Sequence, residues 1–426
     1  MTTEDLYRVY KQYPSVQTDT RKLQAGDLFF ALKGEHFNGN HFAGKALAAG
    51  AAYAIIDEAS YEIPGKTILV KDVLAALQQL AKFHRQQFHI PFLAITGSNG
   101  KTTTKELVHA VLSAAFTTYT TEGNLNNHIG IPLTILKVKQ DAEIAVIEMG
   151  ANHIGEIASY CTYTLPTHGL ITNCGKAHLE GFGGVEGVRR GKGELFDYLR
   201  AHQGTAFIMQ DYEYLVDMSK GIREIITYGS TGQGTTGRVV KSEPFLAVRV
   251  DHPAVLHSVQ TNLVGEYNWP NVLAAVAVGT YFGVPGEKIR SAIENYQPSN
   301  SRSQLVQMGT NRVILDAYNA NPSSMKLSIE NFAKLPAKNK VMMLGAMAEL
   351  GSESLQEHQQ IIDLINQYPW LEVVLVGGDF LALKHPYHSF VNAEEAGNWY
   401  REQHFENTDI LVKGSRSMKM EKILDH

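Results

Sequence analysis

The segment from residue 92 to residue 115 constrains the fold more than any other part of this chain. Phe92–Thr96 is a continuous apolar run of strand length. The glycine-rich turn Gly97-Ser-Asn-Gly-Lys-Thr-Thr103 follows it at once, and the pattern then predicts a helix over residues 101–115. A buried strand that runs through a tight glycine turn into a helix is typical of one βα unit of a parallel sheet. The chain is therefore expected to be an α/β protein.

The rest of the chain repeats this pattern, and its 426 residues exceed what one hydrophobic core usually organises. A break at His89-Ile-Pro91 and a polar stretch at 297–303 divide it, so we expect three domains over residues 1–89, 90–298 and 299–426. Strands are predicted over residues 27–32, 52–56, 67–70, 144–148, 169–172, 205–209, 313–316, 341–344, 373–376 and 410–412, helices over 72–88 and 268–282, and antiparallel strands within 225–262.

Composition excludes several classes of function. The formal net charge of −5 gives no general positive field for nucleic acid or an anionic membrane surface. Cys161 and Cys174 are the only cysteines, too few for a disulfide framework, which favours two ordinary thiols in a reducing compartment. The N-terminus has no basic leader with an apolar core, and no apolar run is long enough to span a bilayer. We expect a cytoplasmic, monomeric protein without a nucleic-acid partner or membrane insertion.

The glycine-rich turn is suited to binding phosphate. Its glycines let backbone N–H groups curl around phosphate oxygens at the start of a helix, where the helix dipole also favours an anion. Lys101 would reach the β- and γ-phosphates of a nucleotide, and Thr102 would offer its hydroxyl to magnesium. The strict phosphate-loop pattern fails, because its opening glycine would fall on Ile95. The alternative is a tight turn with a chance Gly-Lys-Thr, but the flanking strand and helix favour nucleotide binding.

Three further polar residues stand out, and the first two have two interpretations each. Glu148 ends an apolar strand, where a carboxylate could hold a metal ion or be an ordinary solvated acid. His178 follows another apolar strand, and a lone histidine there is a ligand or, more commonly, a structural group. Lys192 lies in a predicted helix, and its spacing alone predicts a solvated lysine.

The run Asp316-Ala-Tyr-Asn-Ala-Asn-Pro322 follows the first strand of the third domain. Its proline suits the first turn of a helix, which an Asp or Asn side chain could cap. The same side chains could instead face a ligand across the domain boundary, and both roles can hold at once.

Together these residues resemble one family, the Mur ligases. The turn at 97–103, the Glu148 strand end, the His178 segment and the Lys-Gly-Glu run at 192–194 resemble the family's central ATPase domain. Residues 18–21, 26–34 and 37–42 resemble its UDP-sugar-binding domain. The runs at 316–323, 344–351 and 412–418 resemble the Rossmann-like third domain of the branch that adds D-alanyl-D-alanine to UDP-N-acetylmuramoyl-tripeptide. The resemblance covers nearly the whole chain.

The resemblance implies an ATP-dependent, ADP-forming amide ligase of peptidoglycan precursor synthesis that works through an acyl phosphate and needs magnesium, with two ions expected. It implies a catalytic set of Lys101, Glu148, His178 and Lys192, and metal ligands Thr102, Glu148, His178 and carbamylated Lys192. The implied nucleotide contacts are Gly97, Ser98, Asn99, Gly100, Lys101, Thr102, Thr103, Asn268, Asn271, Arg302, Asp316 and Asn319. The implied substrate contacts are Thr18, Asp19, Thr20, Arg21, Lys33, Gly34, Asn38, Asn126, Asn127, His128, Lys413 and Ser415.

Three places depart from the family pattern and bear on the adenine pocket and the third domain. Tyr267 stands where a histidine is usual, Ala346 replaces an aspartate, and Gln210-Asp211 is a shortened polar turn. The nearest alternatives are a sister ligase that adds the third peptide residue and a folylpolyglutamate synthetase. From another class, the chain could be an ATP-dependent switch that does no ligation. A catalytically dead scaffold conflicts with the intact residues Lys101, Thr102, Glu148, His178 and Lys192.

Overall fold

The computed structural model describes residues 1–253, 257–299 and 301–425, which form three consecutive α/β domains, each with its own sheet. Residues 254–256 of the predicted antiparallel region, Asn300 of the predicted linker and His426 lie outside the described residues. The α/β expectation is confirmed, because helices alternate with parallel strands in all three domains.

The N-terminal domain is a small parallel sheet with a hairpin at one end. Its sheet has the strand order β1-β2-β5-β6, and strands β3 and β4 pair as the hairpin. The strands are β1 Val16–Gln17, β2 Leu28–Phe30, β3 Lys33–Gly34, β4 Phe37–Asn38, β5 Tyr53–Ile56 and β6 Thr67–Leu69. The helices are α1 Thr3–Gln12, α2 Ala43–Ala48 and α3 Val73–Arg85.

The central domain has a sheet of nine strands in the order β15-β14-β13-β12-β11-β10-β7-β9-β8. Its strands are β7 Phe92–Thr96, β8 Thr118–Thr120, β9 Ile144–Glu148, β10 His168–Ile171, β11 Thr205–Met209, β12 Glu224–Gly229, β13 Thr235–Lys241, β14 Ala247–His252 and β15 Ser258–Gln260. Its helices are α4 Lys101–Ser113, α5 Gly130–Leu136, α6 Glu156–Thr164, α7 Leu179–Phe182, α8 Val185–Ala201, α9 Glu213–Ser219, α10 Trp269–Tyr281 and α11 Gly286–Asn295.

The centre of this sheet explains its apolar strand sequences. Every residue of β7, β9 and β11 is buried, because helices cover both faces of the sheet. The prediction of antiparallel strands across 225–262 was wrong for β12, which pairs in parallel with both β11 and β13. It was right for β13, β14 and β15, which form an antiparallel extension at the edge of the sheet.

The C-terminal domain has a six-stranded sheet in the order β16-β17-β21-β18-β19-β20. Its strands are β16 Gln304–Met308, β17 Asn311–Asp316, β18 Lys340–Gly345, β19 Glu372–Val376, β20 His388–Phe390 and β21 Asp409–Lys413. Its helices are α12 Pro322–Lys334, α13 Ser354–Ile365 and α14 Ala393–Glu402. All neighbouring strands are parallel except β16 and β17.

The order of the strands places the site. Chain connections diverge on either side of β7, whose neighbours are β9 and β10, and ligands of open α/β sheets bind beyond the carboxyl ends of strands at such a point. The carboxyl ends of β17 and β21 in the C-terminal domain lie on the opposite side of the same cavity, which both Asp316 and Lys413 line. Within the described ranges, no helix is both long and apolar enough to cross a membrane.

Candidate active site

The central and C-terminal domains enclose one large cavity of about 1050 Å³. That volume is at the upper end of the range for small-molecule sites, which suits a nucleotide together with a second ligand. The cavity brings together most of the predicted central and C-terminal site residues: Ser98, Asn99, Gly100, Lys101, Thr102, Thr103, Asn126, Asn127, His128, Glu148, His178, Asn268, Asn271, Arg302, Asp316, Asn319 and Lys413.

The glycine-rich turn is held by hydrogen bonds from the segment that follows β10. The Asn99 carbonyl accepts hydrogen bonds from Thr172 Oγ1 at 2.6 Å and from Asn173 Nδ2 at 3.0 Å. Gly97 has a φ of +140°, and a Cβ there would lie 2.0 Å from Thr172 Oγ1. Gly100, with φ of +79°, faces the Asn271 side chain, 2.6 Å from where its Cβ would be. The turn therefore requires glycine at both positions, for backbone conformation and for space.

Lys101 is folded over this turn. Its Nζ donates to the carbonyl oxygens of Gly97 at 2.6 Å and Ser98 at 3.0 Å. Burial lowers the pKa of Lys101 to about 8, with the nearby Arg302 acting in the same direction and the carboxylate of Glu148 acting against it. An ammonium group held only by two carbonyl oxygens can readily exchange them for phosphate oxygens.

Glu148 is buried, 1% exposed, at the carboxyl end of β9. Its Oε1 accepts a hydrogen bond from Asn126 Nδ2 at 2.7 Å, whereas Oε2 has no hydrogen-bond partner. The reading of Glu148 as a solvated strand-end acid was therefore wrong. A buried carboxylate oxygen without a donor is what a cation beside the loop would satisfy.

His178 also lines the cavity, and it contacts the C-terminal domain. Its Nδ1 lies in close contact with Oε2 of Glu349, from the loop that follows β18. Its backbone is left-handed, with φ of 52°. Within the described ranges, three or more His, Cys, Asp or Glu side chains do not gather as they would around a metal ion. A metal held by Glu148 and His178 would thus need other oxygens to complete its coordination.

The structure corrects the reading of Lys192 as a solvated lysine. Lys192 is only 1% exposed, on the inner face of α8. Its Nζ donates to the Ala151 carbonyl at 2.8 Å and lies 4.9 Å from the centre of the Phe182 ring. Burial, with the charge of Lys101 adding to it, lowers the pKa of Lys192 to about 7. Spacing alone missed this, because the residue lies behind the cavity wall rather than on the solvated face.

A corner of the cavity is built by Asn268 and Asn271 at the start of α10. Asn271 Nδ2 donates to Asn268 Oδ1 at 2.9 Å, and Asn271 Oδ1 accepts from Thr104 Oγ1 at 3.1 Å. Arg302 lies in the segment between domains, with its guanidinium 3.6 Å from the centre of the Tyr318 ring and its Nε buried without a partner. These polar groups link the helix after the phosphate loop to the entry into the third domain.

Across the cavity, Asp316 and Lys413 form an ion pair at 2.5 Å at the ends of adjacent strands. Asp316 also accepts from the Ser303 backbone N–H at 3.2 Å, so it does not cap α12. Asn321 is the cap instead, and its Oδ1 accepts from Ser324 N. Ser415 is buried, donates to the Ala346 carbonyl at 2.6 Å, and does not line the cavity.

The predicted residues of the N-terminal domain lie apart from this cavity. Arg21 and Asp19 form a bidentate pair in the loop after β1, and the hydrogen bonds from Arg21 lower the pKa of Asp19 to about 2. Lys33 pairs with Asp57 at 3.0 Å, and Asn38 donates to Glu58. Thr18 and Thr20 lie in the same loop after β1, and Gly34 lies in strand β3 next to Lys33. The structure therefore has two separate sets of predicted site residues.

Three consecutive stretches of the chain match known domain families. Residues 12–85 match the Mur ligase family catalytic domain, residues 95–279 the Mur ligase middle domain, and residues 301–416 the Mur ligase glutamate ligase domain. The chain belongs to the Mur ligase family. The three matches cover the three sheets in order, so the Mur ligase architecture extends over the whole molecule.

Within the Mur ligase family, the chain is similar to ligases that share one name. The UDP-N-acetylmuramoyl-tripeptide--D-alanyl-D-alanine ligase of Escherichia coli (strain K12) is 34% identical, over 96% of this chain and 92% of the relative. The crystal structure of MurF from Acinetobacter baumannii has a TM-score of 0.87 at 31% identity, covering 99% and 97% of the two chains. The MurF ligase from Thermotoga maritima in complex with ADP has a TM-score of 0.86 at 25% identity, covering 97% of each.

Sequence reasoning missed several lining residues of this Mur ligase. The cavity wall also includes Tyr160, Cys174, Tyr212, Tyr214, Trp269 and Leu327. Most are apolar or aromatic, and such side chains have the same pattern whether they line a cavity or fill a core. Tyr267, the departure from the family pattern, bonds to Ser303 at 3.1 Å, so it joins the adenine-side corner to the interdomain segment.

Proposed function

We propose that this Mur ligase joins D-alanyl-D-alanine to UDP-N-acetylmuramoyl-tripeptide with cleavage of ATP to ADP and phosphate, in the cytoplasm and as a monomer. We further propose the domain limits 1–89, 90–298 and 299–426. The observation that carries the proposal is the single cavity in which the phosphate loop and Glu148 of one domain face Asp316 and Lys413 of the next. The names of the relatives at 31–34% identity favour this branch over the sister ligases.

Geometry supports ATP as the ligand of the loop. The backbone of residues 97–100 curls at the start of α4, and Lys101 lies directly above it. Asn268, Asn271 and Arg302 supply polar groups for the base and ribose, and Asp316 and Asn319 face the same space from the third domain. Nucleotide binding would therefore draw on both domains.

The residues present also fit magnesium. Glu148 has a buried oxygen without a donor, and Thr102, buried at the start of α4, lines the same cavity. Magnesium held by Thr102, Glu148, His178 and Lys192 would neutralise charge on the phosphoryl oxygens. Lys192 suits this role only as a carbamate, and its lowered pKa of about 7 keeps a fraction of the amine neutral, the form that combines with carbon dioxide.

A carboxylate does not react with an amine at neutral pH, because its oxygen is a poor leaving group. In the proposed reaction a carboxylate oxygen of the tripeptide attacks the γ-phosphorus of ATP, the bond from that phosphorus to the β-phosphate oxygen breaks, and ADP leaves as the acyl phosphate forms. The amine of D-alanyl-D-alanine then attacks the acyl carbon, and phosphate leaves. Lys101 would neutralise negative charge on the oxygens of the transferring phosphoryl group. Asn126, Asn127 and His128 would position the acceptor at the cavity edge.

The N-terminal residues Thr18, Asp19, Thr20, Arg21, Lys33, Gly34 and Asn38 would hold the UDP-sugar end of the acceptor. Their separation from the cavity suits a long substrate, which is held at one end while it reacts at the other. Helix α3 of the N-terminal domain reaches the edge of the cavity, where Gln78 donates to the His128 carbonyl at 3.1 Å.

The deciding experiment measures phosphate release from ATP with magnesium and UDP-N-acetylmuramoyl-tripeptide, with and without D-alanyl-D-alanine, and the mass of the product. Release that requires the dipeptide, with a pentapeptide product, is the expected result. Release without either substrate would point to the switch, and product formation only from a dipeptide acceptor and one amino acid would point to the sister ligase. Lys101→Ala should remove the activity while the fold persists.

A further inference from the structure

The segment after β10, residues 172–180, contacts both the phosphate loop and the C-terminal domain. On one side Ser98 Oγ donates to the Gly175 carbonyl at 2.8 Å. On the other, the backbone N–H of Lys176 donates to Ser323 Oγ at 2.9 Å, and the Lys176 side chain pairs with Glu357. The segment therefore lies where a shift of the third domain would reach the site.

His178 of this segment lines the cavity and also contacts the third domain. Its Nδ1 is buried and lies in close contact with the Glu349 carboxylate. The backbones contact each other as well, because Glu180 N donates to the Glu349 carbonyl at 3.3 Å. A Cβ on Gly351 would lie only 3.2 Å from Glu180 Cβ, so the two loops are tightly packed.

Both partners have an uncommon backbone conformation. His178 has φ of 52° and Glu349 has φ of 61°, in the left-handed region that side-chain-bearing residues rarely adopt. Such conformations persist only where surrounding contacts hold them, and they cluster at functional sites. Here the two left-handed residues are each other's side-chain partners across a domain boundary.

We propose that Glu349 is a positioning residue for His178: it holds Nδ1 of the imidazole and thereby presents Nε2 to a metal ion in the cavity. Carboxylates commonly orient metal-binding histidines in this way. Because Glu349 belongs to the C-terminal domain, the histidine is oriented only while that domain is docked. The inference rests on the proposed metal role of His178. It adds Glu349, which is not among the proposed metal ligands.

The test uses the full-length chain with Mn²⁺ and a non-hydrolysable ATP analogue, and measures free Mn²⁺ by electron paramagnetic resonance. Glu349→Ala should weaken Mn²⁺ binding about tenfold, the lower end of the range for orienting partners of metal ligands. Glu349→Gln should lie between it and the native chain, because its amide oxygen can still accept from Nδ1. In ligation assays, Glu349→Ala should raise the magnesium concentration needed for half-maximal rate, with the rate recovering at high magnesium.

Two further variants separate the explanations. Glu357→Gln alters the neighbouring Lys176 contact in the same interface without touching His178, and it should bind Mn²⁺ within about twofold of the native chain. If it weakens binding as much as Glu349→Ala, domain docking rather than histidine orientation is responsible and the inference fails. If His178→Ala weakens binding but Glu349→Ala does not, the inference fails alone. If His178→Ala leaves binding unchanged, the proposed metal role of His178 fails.

A second readout needs no metal. In the metal-free chain, the ring nitrogens of ¹⁵N-labelled His178, assigned by difference from His178→Asn, should report a proton on Nδ1. Glu349→Ala should shift these resonances toward mixed tautomers, and Glu357→Gln should leave them in place. Unchanged His178 resonances in Glu349→Ala would overturn the positioning role.

Discussion

Replacement of Glu148 by glutamine should make the ligand-free protein more stable while it removes activity. The Glu148 side chain is 1% exposed, and one of its two carboxylate oxygens has no donor. Glutamine has nearly the same shape and can keep the 2.7 Å hydrogen bond from Asn126 with its carbonyl oxygen. The substitution therefore removes a buried charge without leaving a cavity.

The magnitude follows from two opposing effects. An unpaired buried polar group costs about 1–3 kcal/mol, a cost that the NH₂ group of glutamine would keep, whereas an unpaired charged group costs more. The attraction between Glu148 and Lys101 offsets part of that cost in the native chain. A net gain of about 1 kcal/mol is expected, which raises the unfolding midpoint of a domain this size by about 3 °C. Turnover should fall by about a thousandfold, because a group that would bind metal and stabilise charge is lost.

Glu194 provides a matched control with the opposite sign. Its two oxygens accept from backbone N–H groups, Gly155 at 2.5 Å and Ala158 at 2.8 Å, at the start of α6. Glu194→Gln would set an amide NH₂ against one of these donors, at a cost of about 0.5–1.5 kcal/mol because both hydrogen bonds are exposed to solvent. The same chemical change should therefore lower the midpoint.

Thermal unfolding followed by circular dichroism, without nucleotide or metal, compares the two variants with the native chain, and phosphate release measures activity. A Glu148→Gln midpoint that falls as far as that of Glu194→Gln would refute the reasoning about the unpaired oxygen. Near-native turnover of Glu148→Gln would refute the assignment of Glu148 to the site.

The remaining predictions concern the loop, a buried histidine and domain closure. Gly97→Ala should lower ATP affinity at least tenfold in calorimetry, because its Cβ would meet Thr172, whereas Gly183→Ala, with φ of +71° and open space, should bind ATP normally. Burial lowers the pKa of His168 to about 4, so between about pH 6.5 and pH 4 only the unfolded chain takes up a proton at this residue. The free energy of unfolding should therefore fall by up to about 3 kcal/mol as the pH is lowered through this range. In urea unfolding, His168→Gln should lack this contribution to the pH dependence. Small-angle scattering should show compaction when ATP and the tripeptide substrate bind together, and an unchanged radius of gyration would contradict closure.

Sequence alone predicted the fully buried strands of the central sheet well. Residues 144–148 and 205–209 were predicted as strands with the observed limits, because a continuous apolar run between turns fits a fully buried parallel strand. The short edge strands β8 and β20 were not predicted. Their residues are half-buried or exposed, so the pattern has no strong period there.

The candidate site was predictable to the extent that local motifs carry it. The glycine turn before Lys101 and the acid at the end of β9 are both visible in a short window. The burial of Lys192 could not be predicted in this way. It depends on contacts with Ala151 and Phe182, which form only when α7 and α8 pack together in the folded chain. The partnership of His178 with Glu349 likewise joins residues 171 positions apart.

Asn99 gives a physical reason why the third domain affects the phosphate loop. Its carbonyl is held by Thr172 and Asn173, while its side-chain Oδ1 accepts from Asn321 Nδ2 at 2.7 Å. Asn321 in turn uses its own Oδ1 to cap α12. One loop residue is thus contacted from both domains, and its side-chain hydrogen bond to Asn321 forms only with the C-terminal domain in place. Because coupling between two equilibria is reciprocal, a nucleotide that orders this loop must favour docking to the same extent that docking favours the nucleotide.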